Sequence, residues 1–294
     1  MTYSNVWGNS TANLSGTTGG TGNFSSNPLY VSAPTDFRIT SRSPARMAGS
    51  TGQDIGALAY AGDLTPNLTG TLFADLTLPS GTHTVDGDLI VAPGSTLTLE
   101  PGARLRFATS DQMASGIDVS RVELRVQGTL SASGTALSPV TLEGSSTTPG
   151  SWYGVRFETG STVTLQNADL RHGLFGLRIE DTGTHVLAGL FMENIDDYGI
   201  YVDGGVHQVD RLTATNTRYG VYVSSNGAIV LDEAIIYGQT GDCVRVYQNS
   251  SSPANTEIRQ STLYGCGYGV YHSAASGTTR RAIVVDSIIT NNRS

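Results

Sequence analysis

The residues of this chain that could do chemistry are carboxylates, arginines and tyrosines that stand beside a recurring glycine. The stretch DDYGIYVDGG, from Asp196 to Gly205, places two adjacent carboxylates before such a glycine, and paired carboxylates can serve as general acid and general base. The stretches WYGVRFE and LFGLRIE instead offer Arg with Glu, a pair that can bind hydroxyls or uronate carboxylates. In DYGIYVD and RYGVYVS a tyrosine replaces the arginine, and aromatic faces stack on sugar rings.

Two rows of residues on the strand that carries the glycine are candidate ligand-binding positions. One row lies two residues after the glycine and the other lies four residues after it, so both should point outward from a strand with inward residues between them. Together they give the candidate carbohydrate-binding residues Arg156, Glu158, Arg178, Glu180, Tyr201, Asp203, Tyr222, Arg245 and Tyr271. The residues just before the glycine are expected to join this exposed face: Tyr153, Phe175, Tyr198, Tyr219, Asp242 and Tyr268.

The alternative for the same residues is a purely structural role. Tyr and Arg stack well on the neighbouring strand, and Arg pairs with the adjacent acid. We favour this interpretation, because a flat ladder of side chains offers complementarity but no defined pocket.

Composition excludes several kinds of chemistry and partner. All 17 basic residues are arginine, so a lysine Schiff base or a lysine general base is excluded. A net charge of −8 without a basic run disfavours nucleic acid and anionic membranes as partners. No apolar stretch approaches the roughly 20 residues of a membrane span. The five histidines show no metal-ligand spacing, and we expect no metal, no cofactor and no catalytic residue.

The two cysteines, Cys243 and Cys266, are too few for a disulfide scaffold or a four-cysteine zinc site. They lie 23 residues apart and fall at different points of the repeat described next. We therefore predict two buried thiols, with a single disulfide as the alternative.

A repeat explains how the candidate residues are positioned. The glycine stretch occurs six times at spacings of 22, 23, 21, 23 and 26 residues. A second pattern, of alternating apolar residues and a polar end that often carries Asn, is interleaved with it. One period thus holds about three short strands, which indicates an all-β solenoid with coils about 4.8 Å apart. The anchor positions are Gly154, Gly176, Gly199, Gly220, Cys243 and Gly269.

The apolar residues after each anchor are predicted to form two inward columns. The first column holds Val155, Leu177, Ile200, Val221, Val244 and Val270, and the second holds Phe157, Ile179, Val202, Val223, Val246 and finally His272. The same alignment predicts that Asp196 and Asp197 occupy a turn, where Asp is favoured for backbone reasons. It also allows His185 and His207, 22 residues apart, to stack on one face.

The repeat resembles right-handed parallel β-helix proteins of the pectate-lyase-like superfamily. GDLIVAPGSTLTLEPGARLRF, LRVQGTLSASGTALSPVTLEG and GSWYGVRF are similar to the opening coils of tandem β-helix repeat proteins of the bacterial secreted and surface type. The resemblance implies a right-handed, single-stranded parallel β-helix over residues 78–294, with coils of about 21–26 residues, after an irregular β-rich N-terminal segment. It also implies an extracellular or cell-surface location.

The enzymatic motifs of the superfamily match poorly. Lyases of this type hold calcium on clustered carboxylates beside an arginine base. Three carboxylates here could stack beside two arginines: Glu158, Glu180 and Asp203 beside Arg156 and Arg178. A calcium site needs six to eight oxygen ligands, and the sequence offers no further cluster of them. The stretch GDCVRV resembles the Asp-Asp-Cys motif of polygalacturonases, but Gly241 replaces the first Asp, and the Gly-His-Gly and Arg-Ile-Lys motifs are missing from the sequence. We therefore predict that the chain is not an enzyme.

The flanks of the repeat suggest how the chain is organised. Residues 1–60 resemble the closing part of a preceding β-helix, residues 61–77 a linker, and AIVVDSIITNNRS a coil without a cap. Folding of residues 1–60 as an N-terminal cap is the alternative. We expect a structural or adhesive repeat unit that self-associates head to tail into fibres. The alternative function is binding or cleavage of an extracellular polysaccharide.

Overall fold

The computed structural model describes residues 1–10, 19–60, 62, 67–249 and 252–293. Within these residues the chain forms strands and no helix, as the sequence predicted. An antiparallel hairpin of β1 (Tyr30–Ser32) and β2 (Asp36–Ile39) precedes a parallel solenoid of about 10 turns. The all-β solenoid prediction is confirmed.

One face of the solenoid is a nine-stranded parallel sheet among the described residues, here called the anchor sheet because it carries the recurring glycine. Each of its strands pairs with the equivalent strand of the next coil. Its strands are β3 (Gly70–Leu72), β6 (Leu89–Val91), β9 (Glu123–Val126), β12 (Gly154–Phe157), β14 (Phe175–Ile179), β16 (Tyr198–Val202), β18 (Tyr219–Val223), β21 (Val244–Gln248) and β24 (Val270–Ala274).

The remaining solenoid strands form two further parallel ladders, which merge where β13, β15 and β17 run through both. The first ladder contains β4 (Leu76–Leu78), β7 (Thr96–Leu99), β10 (Thr129–Ser133), β13 (Thr162–Arg171), β15 (Val186–Glu193), β17 (Gly205–Thr215), β19 (Gly227–Asp232), β22 (Thr256–Arg259) and β25 (Ala282–Val285). The second adds β5 (Gly81–Val85), β8 (Ala103–Phe107), β11 (Val140–Gly144), β20 (Ile235–Tyr237), β23 (Thr262–Tyr264) and β26 (Ile288–Thr290).

The register of the anchor sheet matches the predicted columns. Val155 is opposite Leu177, and the pairing continues through Ile200, Val221 and Val244 to Val270. The second column runs in the same register from Phe157 to Val246 and His272. Both columns are buried until the last coil, where His272 is exposed. Burying one such aliphatic side chain contributes about 1.5–3 kcal/mol, so repetition of the columns stabilises the whole stack.

The corners between the ladders are made by residues in the left-handed backbone region. Asn194, Asn216 and Asn291 have φ of 55°, 52° and 56° at the corner that leads back towards the anchor sheet. Asn tolerates this conformation because its short polar side chain bonds to nearby backbone. The asparagines at the polar ends of the second sequence pattern are therefore corner residues.

The described part of the N-terminal segment packs on the first two coils. The Arg42 carbonyl accepts a hydrogen bond from the Thr71 amide of β3 (2.8 Å), and the Asn27 amide donates to the Met113 carbonyl (3.2 Å). Ile39 is buried. The described N-terminal residues are therefore in contact with the beginning of the solenoid. The first coil begins at Gly70, inside the range 61–77 that was predicted to be a linker, while residues 61 and 63–66 of that range lie outside the described residues.

The opposite end of the described solenoid is uncovered. Strands β24, β25 and β26 each pair on one side only within the described residues. As a result Ile288 is 60% exposed, and Val284, Val285 and Ile289 are also exposed. This edge presents both unpaired strand backbone and apolar side chains to solvent.

Candidate functional site: the outward face of the anchor sheet

The outward face of the anchor sheet carries the two predicted rows in register. Arg156 is opposite Arg178, and the row continues through Tyr201, Tyr222 and Arg245 to Tyr271. The face divides into two halves of different chemistry. The ion-paired half lies on β9, β12 and β14, and the tyrosine half lies on β16, β18, β21 and β24.

The ion-paired half is centred on Arg156. Its guanidinium is 3.0 Å from Glu123, 3.0 Å from Glu180 and 3.3 Å from Glu158. Glu123 is fully buried and Arg156 is only 8% exposed, so the prediction that Arg156 lies on an exposed face is wrong. A cation surrounded by three carboxylates loses solvent because those partners cover it. Burial opposes its charge, yet hydrogen bonds to Glu180 and Glu123 raise the pKa of Arg156.

The other charges of this half are also engaged by neighbours. Arg125 donates to Glu158 at 2.6 Å, and Gln127 donates to the same carboxylate at 2.7 Å. Although burial works against ionisation, the hydrogen bond and charge of Arg125 lower the pKa of Glu158. Arg178 donates to Glu180 at 2.6 Å and to the Tyr153 hydroxyl at 2.9 Å.

Sequence reasoning missed Glu123 and Arg125, which complete the ion-paired half. Glu123 is the register partner of Gly154, so it occupies the anchor position of its coil. A search based on a glycine anchor could not find it. The available signal was the alternation of apolar and polar residues in VELRVQG, where Leu124 and Val126 are buried and Arg125 is partly exposed.

The tyrosine half is built from rings on successive coils. We call Tyr201, Tyr222, Tyr247 and Tyr271 the tyrosine ladder. Its ring centroids are separated in order by 5.3, 5.6 and 5.9 Å, and the first pair is nearly parallel at 19°. All four side chains are partly exposed. Strand pairing sets the first spacing, because Tyr201 and Tyr222 are register partners on coils about 4.8 Å apart. Tyr247 joins the ladder from two positions beyond Arg245, which is the register partner of both Tyr222 and Tyr271.

One arginine and two aspartates also contact side chains in the tyrosine half. The Arg245 guanidinium lies over Tyr219 (5.0 Å to the ring centroid) and Tyr271 (4.5 Å), and it donates to Asp242 at 2.6 Å. The Asp203 carboxylate accepts a hydrogen bond from Ser224 at 2.6 Å. A shallow depression of about 440 Å³ lies beside Tyr222 and Tyr247.

The row that precedes the anchor was predicted to be exposed, and most of it is not. Tyr153, Phe175 and Tyr219 are buried, while Tyr268 is 42% exposed. They are covered by outward side chains rather than turned into the core, since Arg178 donates to the Tyr153 hydroxyl and Arg245 lies over Tyr219. Their rings also cover one another, with 5.0 Å between the centroids of Tyr153 and Phe175.

The paired carboxylates Asp196 and Asp197 lie in the turn before β16, as predicted. Their amides donate to the Gly173 and Leu174 carbonyls, and the Asp197 carboxylate pairs with Arg218 at 3.2 Å. Burial raises the pKa of Asp197. The pair is part of a turn rather than of the outward face.

His185 and His207 stack as expected, with centroids 5.3 Å apart and planes at 17°, but both rings are buried in the interior. Burial, followed by the neighbouring His207, lowers the pKa of His185 to about 4. Asp181 lies 3.4 Å from His185. Across the described residues, no group of three or more His, Cys, Asp or Glu side chains is arranged to hold a metal ion.

The prediction of two buried thiols is wrong, because Cys243 and Cys266 form a disulfide with Cα atoms 5.5 Å apart. Cys266 lies in the short turn between β23 and β24, which passes beside the anchor position that Cys243 occupies. The Cys243 amide donates to the Tyr268 carbonyl (2.9 Å) across this turn. Both cysteines are buried beneath the tyrosine half.

A second group that the sequence did not reveal is a buried set of carboxylates under the ion-paired half. Asp88 accepts hydrogen bonds from the Ser115 hydroxyl (2.6 Å) and the Glu123 amide (2.8 Å), and Asp111 accepts one from the Asp88 amide (2.9 Å). Burial and the charge of Asp111 raise the pKa of Asp88 to about 7. These acids fix the 111–118 loop that contacts Asn27 of the N-terminal segment.

Comparison with known proteins agrees with this geometry. Among the described residues there is no helix long and apolar enough to cross a membrane. No curated protein and no solved structure gives a significant match to the chain. The family model described as "Right handed beta helix region" matches residues 130–293, which is more than half of the sequence. The chain therefore belongs to the right-handed beta helix family.

Proposed function

We propose that this chain is a non-catalytic structural or adhesive unit of an extracellular bacterial protein, and that it joins a second copy head to tail. The observation that carries the proposal is the uncovered edge of the last described coil. Its exposed apolar residues, Val284, Val285, Ile288 and Ile289, lie on strands that have a partner on one side only within the described residues. An edge of this kind is a template for a further parallel strand.

The opposite end of the solenoid offers a complementary surface. β4 and β5 of the first coil also pair on one side only within the described residues, while the N-terminal segment covers part of β3. Residues 67–88 contain three aspartates and no arginine, whereas residues 252–293 contain four arginines and two acids. Opposite charges at the two ends favour a head-to-tail contact over contacts between like ends. A contact that does not close on itself propagates as a fibre.

A non-catalytic role is supported by the engagement of the acids on the outward face. Glu158 is held by Arg125 and Gln127, and Glu180 is held by Arg156 and Arg178. Despite burial, Arg125 lowers the pKa of Glu158, whereas a general acid needs a raised pKa. The same contacts stabilise neighbouring coils against one another.

Multi-angle light scattering and electron microscopy on a concentration series test the proposal. We expect the mass to rise with concentration and filaments to form. A Val285→Asp, Ile289→Asp double variant should stay monomeric, because charges on the exposed edge oppose docking. The matched control is Leu137→Asp, a side chain that is 96% exposed in the loop between β10 and β11, towards the other end of the solenoid from the exposed edge. A chain that remains monomeric at every concentration contradicts the proposal.

The tyrosine half favours a second candidate function, binding of a carbohydrate chain. The tyrosine ladder is partly exposed, its rings are spaced along the solenoid, and Arg245 stands among them. Sugar rings can stack on such aromatic faces while the guanidinium bonds to hydroxyls or carboxylates.

A glycan array tests this second function. Binding that is lost in Tyr201→Ala and Tyr222→Ala but kept in Tyr30→Ala, a change at an exposed tyrosine of the N-terminal hairpin, would support it. Release of unsaturated uronides from a polyuronate would overturn the non-catalytic assignment. Absence of any glycan hit would leave head-to-tail assembly as the sole proposal.

A further inference from the structure

The tyrosine ladder brings several phenol rings together on neighbouring coils. Tyr201 and Tyr222 are 5.3 Å apart and nearly parallel, Tyr222 and Tyr247 are 5.6 Å apart, and Tyr247 and Tyr271 are 5.9 Å apart. Strand pairing fixes Tyr201 opposite Tyr222, so the two rings remain neighbours without any rearrangement of the backbone. All four rings reach solvent in part.

We propose that the tyrosine ladder is a site of oxidative coupling, at which dityrosine bonds form between successive coils when a peroxidase and hydrogen peroxide act on the folded chain. The bonds would be covalent staples along the outward face. This inference is independent of the head-to-tail contact, because it joins residues of one molecule.

The chemistry of the step balances with the named oxidant. Each of two tyrosines loses one electron and its phenolic proton, so both O–H bonds are broken and two phenoxyl radicals form. The radicals join through a new C–C bond between ring carbons ortho to oxygen, and the two ring hydrogens then move to the oxygens. The two electrons and two protons that are removed convert one hydrogen peroxide into two waters.

Two features of the chain favour coupling at this place. The chain has only two cysteines, and both are in the disulfide between Cys243 and Cys266, so no free thiol competes for the radicals. A tyrosyl radical must also meet a second phenol ring before a reductant from the solvent quenches it. Tyr30 is exposed but has Phe37, not a second phenol, as its ring neighbour at 5.3 Å.

Peptide mapping after peroxidase treatment of the dilute, folded chain tests the proposal. Trypsin cleaves after arginine and so separates the ladder into peptides 179–211, 219–245, 246–259 and 260–280, each with one ladder tyrosine. Three of these peptides also contain other tyrosines, so fragment-ion spectra must identify the linked residues. We expect dityrosine fluorescence and linked pairs of neighbouring peptides whose mass is lower by two hydrogens than their sum. The chain should stay monomeric on a denaturing gel, because the bonds are intramolecular.

Tyrosine variants test whether the tyrosine ladder is the site of coupling. The Tyr201→Phe, Tyr222→Phe double variant keeps the ring packing but removes two phenols, and we expect the dityrosine yield to fall severalfold. The control Tyr30→Phe should leave the yield unchanged. The proposal is overturned if the double variant couples as well as the unmodified chain. It is equally overturned if chain oxidised in denaturant gives the same pattern of linked peptides.

Discussion

The ion-paired half and the tyrosine half of the outward face occupy equivalent positions on the same sheet, yet they differ in accessibility. Arg156 is almost covered by Glu123, Glu158 and Glu180, whereas Tyr201 and Tyr222 remain partly exposed. A buried charge requires partners on several sides, and each partner excludes more water. Stacked rings need contact only along the ladder. Side-chain chemistry, rather than strand register, therefore decides which part of the face can meet a ligand.

The largest expected effect comes from breaking the centre of the ion-paired half. Arg156→Met leaves Glu123 buried without its cation, and we expect the free energy of unfolding to fall by about 3–5 kcal/mol. The control Arg104→Met removes a partly exposed pair with Glu143 and should cost about 0–1 kcal/mol. Urea denaturation measures both. Equal losses in the two variants would show that the buried pairs do not stabilise the solenoid.

A pH series tests the carboxylates beneath the same half. The pKa of Asp88 is raised to about 7 from an ordinary value of 3.8. Its contribution to the free energy of unfolding is therefore fully present below about pH 4 and is lost as the pH rises through 7. At about 1.4 kcal/mol for each pKa unit, this loss amounts to about 4 kcal/mol at most. The free energy of unfolding of the unmodified chain should therefore fall between pH 4 and 7 relative to that of the Asp88→Asn variant.

His185 acts in the opposite direction and serves as an internal check. Its pKa is lowered to about 4 from 6.5, so its contribution is present above pH 6.5 and is lost as the pH falls through 4. Asp88→Asn should retain this acid-side loss. A difference between the two chains that is flat from pH 4 to 7 would contradict the assignment to Asp88.

Removing the disulfide should weaken the tyrosine half selectively. For a loop of this length, the Cys243→Ser, Cys266→Ser variant is expected to lose about 3 kcal/mol. Hydrogen exchange should accelerate in β21 and β24, next to the bond, and stay unchanged in β9 and β12. Uniform acceleration along the solenoid would mean that the two halves are not separate in stability.

The smallest expected effect is at the tyrosine ladder itself. Tyr222→Ala removes ring contacts with Tyr198, Tyr201, Tyr219 and Tyr247 but leaves no unpaired charge, and we expect a loss of about 2 kcal/mol. Thermal denaturation compares it with Arg156→Met. A loss as large as that of the arginine variant would remove the contrast between the halves.

The repeat made the anchor sheet predictable, because a regular spacing fixes which residues are opposite one another. Val155, Leu177 and Ile200 could be aligned without coordinates, and so could Tyr201 with Tyr222. The coils before Gly154 were harder to align, since Glu123 stands where later coils have glycine. Burial of Arg156 was not predictable either, because it depends on that unrecognised glutamate.

The disulfide and the carboxylates below the face could not be predicted for a different reason. Cys243 precedes β21 and Cys266 lies in the turn before β24, so the two residues are not register partners and meet through a turn. Asp88 and Asp111 lie 23 residues apart and meet through a loop rather than through paired strands. Strand periodicity contains information about paired strands, whereas loop paths depend on local contacts that a repeat does not encode.

Sedimentation velocity on three chains tests most directly whether copies of the chain associate through the exposed edge of the last described coil or through the tyrosine ladder. We expect concentration-dependent association of the unmodified chain and of the Tyr201→Ala, Tyr222→Ala variant, and loss of association in the Val285→Asp, Ile289→Asp variant. Association that persists in the edge variant but disappears in the tyrosine variant would contradict this expectation, as would an unmodified chain that is monomeric throughout.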